Sequence, residues 1–178
     1  TIFVENSFSH VKHYNKIKFL KYNLYLNNEL IGYHFFNFDN KGNKFKVLGE
    51  GAFKVSKFGL ELMSYRTKSE AIFIENQLVK FNSKTQQNEK SKFVNIELSD
   101  NFLNINGSSF RGKTNKDTVI SSLWNHEIVK KNKQISSISG SINDYKVKYL
   151  GKKTINIKNK SFENLNFHIF SNDNKKMS

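Results

Sequence analysis

Between Lys16 and Phe170 apolar and polar residues alternate with a period of two, in runs broken by Asn- and Gly-rich turn signals about every eight to fourteen residues, the pattern of an antiparallel β-meander. From Lys18 to Leu26 one face carries Leu20, Tyr22, Leu24 and Leu26, the other Phe19, Lys21, Asn23 and Tyr25. Asn27-Asn28-Glu29 makes a tight connection to a run from Leu30 to Asp39, with Ile31, Tyr33 and Phe35 opposed to Gly32, His34, Phe36 and Phe38. The two runs form a hairpin whose exit turn is Asp39-Asn40-Lys41-Gly42-Asn43. Phe45, Val47 and Gly49 continue in a third strand to about Ser56, in which Gly49-Glu50-Gly51 marks a bulge or bend. A fourth strand runs from Leu60 to Ile74 and a fifth opens at Leu78, after Glu75-Asn76-Gln77. The polar stretch Thr85 to Ser91 reads as a flexible hairpin tip, and Phe93 to Leu98 pairs with Phe102 to Asn106 across Ser99-Asp100-Asn101.

The pattern changes over residues 107–133, which read as a long connection, and Asp117 to Trp124 has the form of a short helical turn capped by Asp117 or Thr118. Strand signals resume at Gln134 to Ser139, Tyr145 to Leu150, Thr154 to Lys158 and Glu163 to Phe170, separated by turns at Gly140, Gly151-Lys152-Lys153 and Asn159-Lys160. The expected architecture is therefore all-β: one antiparallel meander of about 9–11 strands, curled by strand twist into a barrel or half-barrel, with one helical turn near residues 117–124. A chain of 178 residues fits one domain, 1–178 with residues 1–15 as a lead-in, and can bury roughly 70% of its unfolded surface.

Composition alters this picture in three ways. The 17 Phe and 7 Tyr concentrate apolar area in large rings able to fill a sheet's inner face. The net charge of +14 suggests a polyanion partner, yet among 29 basic residues only Arg66 and Arg111 are arginine, and the lysines are spread over nearly every segment. Base readout leans on the planar guanidinium, so nucleic acid is disfavoured, while peripheral contact with a membrane stays open. The absence of Cys excludes disulfides and thiolate chemistry. A chain beginning at Thr1 fits an exported protein freed of its signal peptide, periplasmic or otherwise, or a fragment of a longer one, leaving the cytoplasm open.

Candidate chemistry is sparse. His10, His13, His34, His126 and His168 lack metal-ligand spacing, and no cofactor motif is present. Glu61, Glu70 and Glu75 on or beside the fourth strand could be imagined as a glycosidase pair, but a salt-bridged outer face, with Glu61 on one side and Lys68 and Glu70 on the other, explains them at lower cost. No catalytic or metal residue is assigned. The only Trp stands in Ser121-Ser122-Leu123-Trp124-Asn125, where Trp124 either plugs the core with Asn125 tying down the loop or forms the rim of an apolar cavity.

In the hairpin Tyr25-Leu26-Asn27-Asn28-Glu29-Leu30-Ile31-Gly32, in Ser64, Tyr65, Arg66 and Glu70, and in the Ser-Leu-Trp-Asn segment ending at Asn125, the chain resembles a family of exported bacterial proteins known only as a domain of unknown function. The resemblance implies a layout similar to exported β-meander proteins that carry lipids or lipoproteins, and it carries no established activity. It also implies a further aromatic-rich hairpin beyond the closing Asp173 to Ser178, so that the sheet keeps an exposed edge or the sequence is truncated.

The leading expectation is a non-enzymatic exported protein that holds a hydrophobic ligand, a lipid or acyl chain, on an aromatic concave face. Phe36, Phe38, Leu48, Trp124 and Asn125 are its ligand-binding residues. Ten buried methylenes would contribute roughly 8 kcal/mol before association costs. Two alternatives are a structural or protein-interaction scaffold of the cell envelope and a basic surface docking on anionic lipid or polyanion. Oligomeric state is left open.

Overall fold

The computed structural model describes Tyr14 and residues 17–157 and 160–171 of the chain. Eight strands follow one another in sequence and in space: β1 (Phe19–Leu26), β2 (Glu29–Lys41), β3 (Lys44–Lys57), β4 (Leu60–Ile74), β5 (Gln77–Gln87), β6 (Lys90–Ser99), β7 (Phe102–Gly107) and β8 (Arg111–Asn115). They form an antiparallel meander, the all-β, half-barrel architecture expected from the alternation. A second sheet has the order β12-β11-β10-β9, from β9 (Val119–Ser121), β10 (Lys133–Ser136), β11 (Ile142–Ile157) and β12 (Lys160–Ser171). Its β9 and β10 run parallel, a pairing that needs a crossover rather than a hairpin.

Turn chemistry sets the register. The β1–β2 and β4–β5 connections are two-residue turns with both residues at positive φ, Asn27-Asn28 and Glu75-Asn76, whose backbone twist matches that of the strands they join. From these turns the inner face is built rung by rung. Phe38, Val47, Ala71, Phe81, Ile96 and Ile105 stand side by side across six strands, and all are buried. Tyr14, Ile120, Trp124 and Ile135 join the same apolar cluster. Gly107 packs against the connection between β10 and β11: a Cβ there would lie 2.5 Å from the Ser139 carbonyl oxygen. Ser83 Oγ donates to the Ser137 carbonyl at 2.6 Å from the same inner face.

Several local expectations change. The helical turn is present but lies downstream, as a 3-10 helix at His126–Val129, because Asn125 and not Asp117 caps it. Asp117 and Thr118 are committed elsewhere: the Asp117 amide donates to Asn115 Oδ1 at 2.8 Å, and the Thr118 hydroxyl lies 3.0 Å from that of Thr114. The 107–133 connection contains β8 and β9. Thr85 to Ser91 is no tip, since β5 and β6 stay paired to Gln87 and Lys90, leaving only Asn88-Glu89 in the turn. Gly49 and Gly51 keep regular register; they make room for the rings of Phe36 and His34, while the bulge falls at Val55/Ser56. Gly151 is likewise a bulge within β11, not a turn between two strands. His10, His13 and the Asp173 to Ser178 end lie outside the described residues.

Candidate functional site

The aromatic cluster is built around Trp124. Its ring meets Phe38, Phe45 and Phe73 edge-on at centroid distances of 5.9, 6.1 and 5.8 Å, and Tyr14 stacks on Phe38 at 4.6 Å. The Tyr14 hydroxyl donates to the Trp124 carbonyl and lies 3.2 Å from His126 Nε2. Burial raises the pKa of that phenol. Asn125 accepts from the Glu127 amide at 3.2 Å and donates to the Ile120 carbonyl at 2.9 Å, so one side chain caps the helix and ties its entry to β9.

Of the five residues expected to line a ligand site, this arrangement brings four together: Phe36, Phe38, Trp124 and Asn125 are all buried. Phe36, 1% exposed, has Tyr22 against its edge at 6.2 Å and the His34 ring at 4.3 Å. Leu48 departs from them. It stands opposite Asn37 and Glu70, one position out of phase with Val47, so it belongs to the outer face and is 43% exposed.

That outer face carries a trough of about 1170 Å³ across β2 to β6. Its floor is a set of register rungs. One holds Tyr33, Ala52, Arg66, Gln86 and Ser91; the next Glu50, Lys68, Lys84 and Phe93; the third Glu70, Asn82 and Asn95. Lys68 and Lys84 are direct cross-strand partners. Like charges so placed repel. Nearby cations are neutralised: Lys46 pairs with Glu70 at 2.5 Å and Lys54 with Glu61 at 2.6 Å. The second pair exists because the bulge in the β3–β4 pairing brings Glu61 to the face of Lys54, not the opposite side; Lys54 also holds the Glu61 carboxyl below its ordinary pKa. Among the described residues neither Lys68 nor Lys84 forms an ion pair.

The remaining chemistry is modest. Burial holds the His34 pKa below its ordinary value, and no group of three or more His, Asp or Glu among the described residues is placed to hold a metal ion. No helix among them is long and apolar enough to cross a membrane. The basic trough was missed as a site because its residues are scattered in sequence. Lys68, Lys84 and Phe93 meet only through the β4–β5 and β5–β6 registers.

The chain belongs to the family described as Domain of unknown function (DUF6134), which matches residues 22–178. Comparison with curated proteins and with solved structures gave no match.

Proposed function

Starting from a family description that lends no activity, we propose that this chain is a non-catalytic binding protein whose outer trough holds an extended anionic ligand, a chain bearing phosphate or carboxylate groups. The observation that carries the reading is the Lys68–Lys84 juxtaposition at the floor of the trough, with Arg66 one rung away. Like charges directly opposite each other across a strand pair are destabilising, and an anion laid between them turns that cost into attraction. The volume slightly exceeds that of common small-molecule sites, roughly 300–1,000 Å³, and suits a chain laid across several strands. Gln86, Asn82 and Asn95 supply neutral hydrogen-bonding groups along its walls, and Tyr33 and Phe93 supply rings.

An acyl chain on Phe36, Phe38 and Trp124 would have to displace rings that pack on one another, so the aromatic cluster supports a core role and the trough a binding role. The test is titration calorimetry with polyphosphate and with poly-glutamate over a series of salt concentrations. Binding should weaken linearly on a double-logarithmic scale, and Lys68→Gln/Lys84→Gln should lower both affinity and the salt slope, the slope by about 1–2. Unchanged affinity in the double variant would sink the proposal.

A further inference from the structure

The meander divides at one end. Pairing between β2 and β3 stops at Gly32 and Phe53, and pairing between β4 and β5 stops at Tyr65 and Gln87. Beyond those points β1–β2 continues as one two-stranded prong to Asn27-Asn28, and residues 54–64 of β3–β4 continue as another to Phe58-Gly59. Both prongs carry large apolar side chains in solvent: Leu26 and Leu30 on the first, Phe58, Leu60 and Leu62 on the second.

Phe58 is the informative residue. It is 93% exposed, and it occupies a left-handed position, φ 51°, at the first place of a two-residue turn. The corresponding turns of the same sheet use Asn27-Asn28 and Glu75-Asn76. A bulky aromatic side chain is disfavoured in that region of backbone space and gains nothing from water, so its position is unfavourable twice over. Strain of this kind held at an exposed apex points to a role outside the fold itself.

We propose that this forked end docks on an anionic bilayer surface, with Phe58 leading the β3–β4 prong into the headgroup and acyl boundary. The net charge of +14 draws the chain to such a surface. The Lys57 ammonium, 5.4 Å from the Phe58 ring centroid, stands where lipid phosphates would lie around an inserted ring. An apex exposed nearly all round is poorly enclosed by a second copy or a grooved protein, whereas a bilayer closes around it without a matching shape. The proposal uses residues apart from the trough and stands independently of the function assigned there.

The experiment is co-sedimentation of the chain with phosphatidylglycerol–phosphatidylcholine vesicles, against pure phosphatidylcholine. Phe58→Asn places a residue suited to positive φ at the apex, so thermal stability should hold or rise while partitioning to the anionic vesicles falls at least tenfold. Phe58→Asn should still bind polyphosphate like the parent, since Phe58 is not among the residues that line the trough. Phe58→Trp should shift its emission to the blue on adding anionic vesicles and be quenched by brominated acyl chains. Equal binding by Phe58→Asn overturns the proposal, as does a parent chain that ignores anionic vesicles. So does a lipid-free dimer in sedimentation velocity that Phe58→Asn abolishes, which would assign the apex to a second copy.

Discussion

The Asn125 side-chain amide donates to the carbonyl of Ile120, five residues back and 2.9 Å away, while its oxygen caps the helix that follows. A single buried side chain thus joins the end of β9 to the start of the helix. Asn125→Ala should destabilise the protein by about 1–3 kcal/mol, read as a lower denaturation midpoint with an unchanged slope. Asn125→Asp keeps the cap but loses the donor to Ile120, and should recover only part of the loss.

Trp124 lies at the centre of the ring cluster between the two sheets. Trp124→Ala should cost about 3–5 kcal/mol, and Trp124→Phe distinctly less, because the edge contacts to Phe38 and Phe45 are partly kept. Urea unfolding followed by far-ultraviolet circular dichroism measures both.

Gly32 sits where the two prongs part. A Cβ there would clash with the Ala52 carbonyl oxygen and lie 2.5 Å from the Phe53 Cα, atoms of the backbone that cannot step aside. Gly32→Ala should therefore cost more than about 1–3 kcal/mol, the usual range for overpacking, and more than Gly49→Ala. At Gly49 the nearest obstacle is the movable Ser69 hydroxyl, also at 2.5 Å. Comparative thermal melts of the two variants decide this.

Proton uptake at the acid end and proton loss at the alkaline end should both work against folding. Burial lowers the His34 pKa from 6.5, so the unfolded chain takes up that proton more readily and stability falls as pH drops below 6.5. Burial raises the Tyr22 and Tyr65 pKa values from 10.0, so the unfolded chain ionises first and stability falls as pH rises beyond 10.0. His34→Gln should flatten the acid limb in urea titrations across pH and leave the alkaline limb in place.

The facing lysines of the trough should trade stability against binding. Lys84→Gln, at the member of the pair whose other rung neighbour is Phe93 rather than the Glu50 that faces Lys68, should stabilise the free protein by about 0.2–1 kcal/mol while weakening polyphosphate binding. The gain should shrink as salt screens the repulsion. Melting temperatures at low and high salt test it.

Much of this arrangement was legible in the chain because period-two alternation and turn residues act locally. Strands β1 to β7 and the hairpin at Asn27-Asn28 could be read directly, whereas Phe36 and Phe38, expected to line a ligand site, are buried in the core cluster with Trp124. β8 could not. Its Arg-Gly-Lys-Thr-Asn holds no large apolar residue and is kept by backbone pairing with β7 and by the side-chain bonds of Thr114 and Asn115. Leu48 was misplaced although the alternation of Phe45, Val47 and Gly49 sets it on the other face with Lys46 and Glu50, the side that register with β2 and β4 turns outward. The trough was hidden for a related reason: the bulge at Ile72/Phe73 shifts the β4–β5 pairing that sets Lys68 against Lys84.

The parallel pairing of β9 with β10 bears on the birth of the chain. Each strand of the meander finds its partner next door, but the rung from Phe38 to Ile105 is covered by Ile120, Trp124 and Ile135, which follow it in sequence. During synthesis that apolar face exists before its cover, and the late crossover closes it over a long loop, a slow kind of contact to form. The growing chain therefore presents a broad adhesive surface until residues beyond Ile135 leave the ribosome, and a holding chaperone has its best purchase in that interval.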